Sequence, residues 1–196
     1  MKLLVVLGSR NPEGQTARAA GALLQGALDA GWEGDQVFLP QMQIERCRQC
    51  EDGGWGLCRS EGHCVIEDDF ARLVDQIREA DAVAFATPVY FHDMSESMKA
   101  FTDRLGRVQF FRDVADRSGV EGKRAIGVCV AGGGGGGGPR CAVGLERILR
   151  ICGFDIVDMV PARRQNLDMK CDVLRITGRW LAGGQRDQAG AEQGGV

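Results

Sequence analysis

The sequence predicts an α/β chain, a single parallel sheet with helices packed on both faces. Three observations carry that expectation. Continuous apolar runs at residues 3–7, 82–86 and 125–130 suit strands buried on both sides. Longer segments with apolar residues at helical spacing separate them. Five strands then alternate with five helices along the chain, the pattern of a sheet wound by crossover helices.

The first strand, residues 3–7, runs into the turn Gly8-Ser9-Arg10-Asn11-Pro12. Residues 15–30 are rich in Ala and Leu, with Leu23, Leu24 and Leu28 helically spaced and Gly31 placed to end the helix. A short strand at 37–39 stops at Pro40, and a cysteine-rich insert occupies 44–66. Asp68 and Asp69 open a helix carrying Phe70, Leu73, Val74 and Ile77, with the acids at its positive end. The third strand, 82–86, breaks at Thr87-Pro88, and Ser95 caps a helix holding Met98, Phe101 and Leu105.

The fourth strand, 125–130, runs into Ala131 and seven consecutive glycines, Gly132 to Gly138. Pro139 suits the first turn of the following helix, which continues to Gly153. The fifth strand spans 156–160 and ends at Pro161, and the last helix spans about 170–181. Residues 1–182 read as one domain, and the apolar-poor stretch 183–196 as a disordered tail.

The 196 residues carry a net charge of −3 and no basic tract, which argues against a nucleic-acid binder. The opening MKLLVVLGSR is apolar too briefly for a signal sequence, and no run approaches the roughly 18 apolar residues of a membrane span. A cytoplasmic location is expected. Eight cysteines there are not a disulfide framework. Cys47, Cys50, Cys58 and Cys64 cluster within 18 residues, pointing to metal or redox chemistry. Cys129 and Cys152 sit in apolar surroundings and read as small hydrophobes.

Ligands of open α/β sheets sit beyond the carboxyl ends of the strands, so the loops there matter most. The first, Gly8 to Thr16, leaves a buried strand and enters a helix. Its backbone N–H groups, Ser9, Thr16 and Arg10 suit a phosphate, although it is neither a P-loop nor a G-x-G-x-x-G turn. The second, Thr87 to Asp93, places Val89, Tyr90 and Phe91 where a flat ring such as isoalloxazine would cover them. His92 is not assigned a catalytic role. The third is the glycine run, which permits close backbone approach to a ligand.

The loop GSRNPEGQT, the stretch GHCVIEDDFARLVDQIREADAVAFATPVYFHDMSESMKAFTDR and the stretch AGGGGGGGPRCAVGLERIL resemble the flavodoxin-fold NAD(P)H-dependent FMN reductases. Their iron–sulfur flavoprotein branch is the nearest likeness, over about residues 1–160. The resemblance implies a flavodoxin-like, doubly wound sheet of order 2-1-3-4-5, bound FMN, and a homodimer or higher oligomer. Carried over by position, Ser9, Arg10, Gly14, Gln15 and Thr16 would hold the FMN phosphate. Thr87, Pro88, Val89, Tyr90 and Phe91 would line the ring, and Ala131, Gly132, Gly133 and Gly134 would meet its other edge.

The branch carries a compact C-x2-C-x2-C followed by a fourth cysteine. Here the spacing is Cys47-x2-Cys50-x7-Cys58-x5-Cys64, the third cysteine displaced by an insertion containing Asp52, Gly53, Gly54 and Trp55. Four thiolates from one loop suit a [4Fe–4S] cluster, with zinc as the competitor and no metal as the third reading.

The leading functional reading is an FMN-dependent electron-transfer oxidoreductase with a [4Fe–4S] cluster on these four cysteines. Electrons would come from a nicotinamide or a ferredoxin-like donor and leave to a quinone or small oxidant. A plain NAD(P)H:FMN or quinone reductase without a cluster is the alternative, and a non-enzymatic flavodoxin-type carrier a third. Residues 107–122, with Phe110 and Phe111, either cover the flavin or join subunits.

Overall fold

The computed structural model describes residues 1–111, 113 and 119–183. The five long strands are β1 (Lys2–Leu7), β2 (Glu33–Phe38), β3 (Ala82–Tyr90), β5 (Arg124–Ala131) and β6 (Asp155–Arg163). They form a parallel sheet of order β2-β1-β3-β5-β6, which is the expected 2-1-3-4-5. A two-residue strand, β4 (Asp93–Met94), folds back antiparallel on the end of β3. The helices are α1 (Gln15–Asp29), α2 (Leu57–Ser60), α3 (Asp69–Glu79), α4 (Glu96–Phe110), α5 (Gly138–Cys152) and α6 (Leu167–Gly183).

Alternation along each strand divides the core in two. Val83 and Phe85 of β3 face α3, α4 and α5. Ala82, Ala84 and Ala86 face α1 and α6 together with Leu3, Val5 and Leu7. On that second face α1 and α6 cross at van der Waals limits. A Cβ on Gly26 would collide with the Arg175 carbonyl, and one on Gly178 with the Leu23 carbonyl.

The structure corrects several boundaries. Strand β3 does not break at Pro88 but runs on to Tyr90. Its neighbour β1 ends opposite Ala86, so the missing Pro88 N–H faces an open side, while β5 still pairs it through Val130. Strand β6 likewise passes through Pro161, because it lies at the sheet edge and pairs only with β5. Strand β2 starts at Glu33 rather than at residue 37, its polar sequence EGDQVF fitting an edge strand. Helix α6 begins at Leu167, three residues before the expected start, and ends at Gly183. Residues 184–196, most of the expected tail, lie outside the described residues, as do 112 and 114–118 of the 107–122 stretch.

Candidate functional site

The loops after β1, β3 and β5 enclose an open cleft of about 630 Å³ at the carboxyl edge of the sheet. The first loop is anchored to its neighbour. The Gly8 N–H donates to the Ala86 carbonyl at 2.8 Å, and Ser97 Oγ donates to the Gly8 carbonyl at 3.3 Å. A Cβ on Gly8 would stand 2.5 Å from Ser95 Oγ, so this crossing requires glycine. Asn11 Oδ1 accepts from the Glu13 N–H at 2.9 Å, an Asx turn that delivers Gly14 to the start of α1.

Helices α3 and α4 are capped by side chains. Asp68 accepts from the Phe70 N–H at 3.0 Å, and Ser95 from the Met98 N–H at 3.3 Å. Helices α1 and α5, which start beside the cleft, have glycine at the cap position and no side-chain cap. Neither has an acid in its first turn. Such helix ends present free N–H groups and positive dipole to an anion. Ser9 and Thr16 add hydroxyls to the same wall.

The opposite wall is Pro88 to His92, facing Val130 to Gly136 of the third loop. Phe91 and His92 both hold left-handed backbone, with φ of 48° and 71°. Phe91 is fully exposed there. Two adjacent non-glycine residues in that region store strain of about 1–3 kcal/mol each, a feature that clusters at ligand sites. Gly137 makes room for the turn, since a Cβ on it would lie 2.7 Å from the His92 Cα.

Of the residues expected to hold a cofactor, Ser9, Gln15, Thr16, Pro88, Val89, Tyr90, Phe91, Ala131, Gly132, Gly133 and Gly134 line the cleft. Gly14 sits behind them as the cap of α1. Thr87 is buried beneath the second loop. Its Oγ1 donates to the Pro88 carbonyl and accepts from the Ser95 N–H, each at 3.0 Å, so it shapes the loop from below. Arg10 lines a neighbouring groove together with Arg46, Glu96 and Tyr90, the last shared with the cleft.

The cysteine-rich insert is pinned to α4 by two arginines one turn apart. Arg104, only 1% exposed, makes a bidentate ion pair with Asp68, at 2.6 and 3.0 Å. It also donates to the carbonyls of Glu45 at 3.1 Å and Ile66 at 3.4 Å, tying both ends of the insert together. Arg107 donates to the Gly54 carbonyl at 2.6 Å and lies 4.5 Å above the Trp55 ring. Trp55 in turn packs against Phe110 and Phe111. Within the 107–122 stretch, Arg107, Phe110 and Phe111 thus pack on the insert, while Val120 joins the core and Gly122 bonds to Gly153. Arg104 interrupts the apolar stripe Met98, Phe101, Leu105 and Val108, and a charge on a buried helix face was the signal that sequence reasoning missed.

Cys47, Cys50, Cys58 and Cys64 all line one pocket, with Arg104 and Arg107 on its wall. Among the described residues no group of three or more His, Cys, Asp or Glu is placed to hold a metal ion. A tetrahedral zinc needs its sulfurs gathered within about 2.3 Å of one point. Neither zinc nor the expected [4Fe–4S] cluster is therefore shown on these four cysteines. Arg104 Nε, buried and without a hydrogen-bond partner, adds an unused donor at this wall. Cys129 and Cys141 are buried side by side. The hydrogen bond between them, reinforced by burial, pushes the Cys129 thiol far above its ordinary value and keeps it neutral.

The profile of the NADPH-dependent FMN reductase family matches residues 1–166. An iron–sulfur flavoprotein of Methanosarcina thermophila is 33% identical over 104 residues, 53% of this chain and 52% of that protein. Another from Methanocaldococcus jannaschii is 29% identical over 133 residues, covering 68% of this chain and 65% of its own. The chain therefore spans about half to two thirds of these relatives. The solved NAD(P)H:quinone oxidoreductase from Methanothermobacter marburgensis superposes with a TM-score of 0.67 at 20% identity, over 92% of this chain and 96% of that one.

Proposed function

Because the chain belongs to the NADPH-dependent FMN reductase family, we propose that it is an FMN-dependent oxidoreductase. It takes electrons from a nicotinamide nucleotide and passes them to a quinone or another small oxidant. The observation that carries this reading is the cleft. Two helix N-termini without side-chain caps border it, opposite a Pro–Val–Tyr–Phe wall that ends in strained backbone at Phe91 and His92.

Bound FMN would supply the redox chemistry, taking up a hydride equivalent and releasing electrons. The chain's own residues bind and orient it. Ser9, Gln15, Thr16 and the first N–H groups of α1 hold the phosphate. Val89, Tyr90 and Phe91 shield one side of the ring, and the backbone of Ala131 to Gly134 approaches its edge. No side-chain acid or base is required for hydride arrival, which agrees with a cleft whose only titratable side chains are Tyr90 and His92 among the described residues. Arg10 and Arg46 stand without ion-pair partners among the described residues, in the groove that shares Tyr90 with the cleft. They give the phosphates of the nicotinamide nucleotide a place to lie.

The four cysteines on one pocket favour a second element in the same reading. Cys47, Cys50, Cys58 and Cys64 would hold a [4Fe–4S] cluster, which would pass electrons singly. Arg104 and Arg107 fix the insert against α4 and place positive charge beside the thiolates. A cluster-free NAD(P)H:quinone reductase requires only the cleft and stands without this element.

The test is a visible spectrum of anaerobically purified protein, with iron, sulfide and zinc assayed on the same sample, followed by NADPH and quinone turnover. Flavin bands with NADPH oxidation are expected. Iron and sulfide at about four each per chain support the cluster, and their absence leaves the plain reductase. A colourless protein that refuses added FMN overturns the proposal. Flavin without nicotinamide turnover would instead indicate a carrier of the flavodoxin type.

A further inference from the structure

Two grooves leave the cleft along its Pro88–His92 wall. One passes Tyr90 and holds Arg10 and Arg46. The other passes Phe91 and His92, which line both it and the cleft, and continues over Asp93, Arg140 and Gly144. The volume of this second groove is about 290 Å³. That lies near the lower end of the roughly 300–1,000 Å³ of small-molecule sites, room for a molecule of one or two fused rings.

The lining residues offer complementary contacts. Phe91, held left-handed, leaves its whole ring uncovered on the wall that the groove shares with the cleft. Arg140, in the first turn of α5, is exposed and has no ion-pair partner among the described residues. Asp93 is the one acid of the groove, and its Oδ1 accepts from the Met94 N–H at 2.8 Å. Gly144 leaves the floor open, since a Cβ on it would meet nothing within 4 Å. A free guanidinium beside an uncovered aromatic ring suits a flat molecule with one negative charge. Its ring packs on the phenyl face and its anion meets the arginine fork.

We propose that this groove seats the electron acceptor, and that the acceptor is a quinone bearing a negatively charged substituent, its ring on Phe91 and its anion on Arg140. This inference rests on the oxidoreductase reading above and adds a substrate class to it. The start of α5, without a side-chain cap or an acid in its first turn, adds its positive potential to that of Arg140 against the single charge of Asp93. The quinone gains a hydride from reduced FMN and a proton from solvent, and leaves as the hydroquinone while FMN returns to its oxidised form. The phosphates of the donor and the anion of the acceptor then fall on different arginines, in different grooves.

Calorimetric titration of the FMN-loaded full chain with naphthalene sulfonate, a redox-inert probe, tests the site apart from turnover. Binding is expected, and Arg140→Gln should weaken it by about threefold or more. Arg147→Gln makes the same change of charge farther along α5 and outside the groove, and should bind as the wild type does. Asp93→Asn removes the repelling charge and should tighten binding by about twofold. Gly144→Leu fills the open floor and should abolish it. These positions are exposed, so unchanged circular dichroism is expected and separates lost binding from lost folding. In turnover driven by NADPH, naphthoquinone sulfonate should show a lower KM than naphthoquinone, and either Arg140→Gln or high salt should remove the difference. A wild type that does not bind the sulfonate, or Arg140→Gln that binds it as tightly, overturns the proposal. Sulfonate binding through Arg140 without turnover of either quinone would instead remove the oxidoreductase reading and leave a site for an anionic ring.

Discussion

Asp68→Asn is the perturbation whose effect the structure specifies most fully. The substitution keeps shape and one acceptor oxygen but leaves the Arg104 guanidinium charged, with side chains only 1% and 6% exposed on the two partners. Removing one member of a buried ion pair costs about 3–5 kcal/mol, chiefly by stranding the other charge. Asp68 also accepts from the Glu45 N–H at 2.8 Å and caps α3 through Phe70, and Asn retains only part of that set. A loss of about 3–5 kcal/mol is a large share of the 5–15 kcal/mol that stabilises a typical domain.

Urea unfolding followed by far-ultraviolet circular dichroism, at equal saturating FMN, measures it. The double variant Asp68→Asn/Arg104→Met removes the stranded charge, so it should cost less than the sum of the two single changes. The pH dependence gives an independent reading. Burial alone would raise the Asp68 carboxyl, but Arg104 and the N–H groups of Glu45 and Phe70 outweigh it and hold the group below its ordinary value. Its contribution is therefore complete above the unfolded carboxylate value of about 3.9, and is lost as pH falls through the lower folded value. Asp68→Asn should flatten that acid limb. A loss below about 1 kcal/mol, or a strictly additive double variant, would refute the reasoning.

Gly178→Ala should be costly although alanine is the better helix former by about 1 kcal/mol, because its methyl collides with the Leu23 carbonyl of α1. Backbone overlap that side-chain rotation cannot relieve places the loss at about 3 kcal/mol. Calorimetry should register a fall in Tm of about 6–12 °C. Thr16→Val keeps the buried shape at the start of α1 but removes the hydroxyl that faces the cleft. Losing one hydrogen bond to a charged group, about 1.5–3 kcal/mol, should raise the FMN Kd roughly ten- to a hundredfold by fluorescence titration. The apoprotein's stability should stay near wild type, and unchanged affinity would remove Thr16 from the phosphate site.

How much was legible depended on which physical signal dominated each segment. Strands β1 and β5 are buried on both faces, so their apolar runs announced them. Strand β2 reads EGDQVF because an edge strand needs few apolar residues, and its first half was invisible to an apolar search. Pro88 and Pro161 looked like stops, since only the sheet order shows that their missing N–H groups face no partner. The cleft was largely readable because loops at strand ends hold ligands in any open sheet. Thr87 and Arg10 were not, since which way a loop side chain turns depends on neighbours such as Ser95 that arrive from elsewhere. The four cysteines were plain in sequence, whereas the arginines that fasten them depend on α4 passing beneath the insert.

The uncapped starts of α1 and α5 tie the lifetime of the protein to the supply of its ligand. Those N–H groups have no side-chain cap of their own, and Phe91 and His92 hold left-handed backbone beside them. A ligand that binds only the folded form adds RT ln(1 + [L]/Kd), about 2.7 kcal/mol at a hundredfold excess over Kd. The carboxyl edge of the sheet is thus the place where a cofactor-free molecule is expected to open first, and where proteases would enter. Freshly made chains short of flavin would be cleared sooner than loaded ones, so abundance in the cell would follow cofactor supply with no separate regulator.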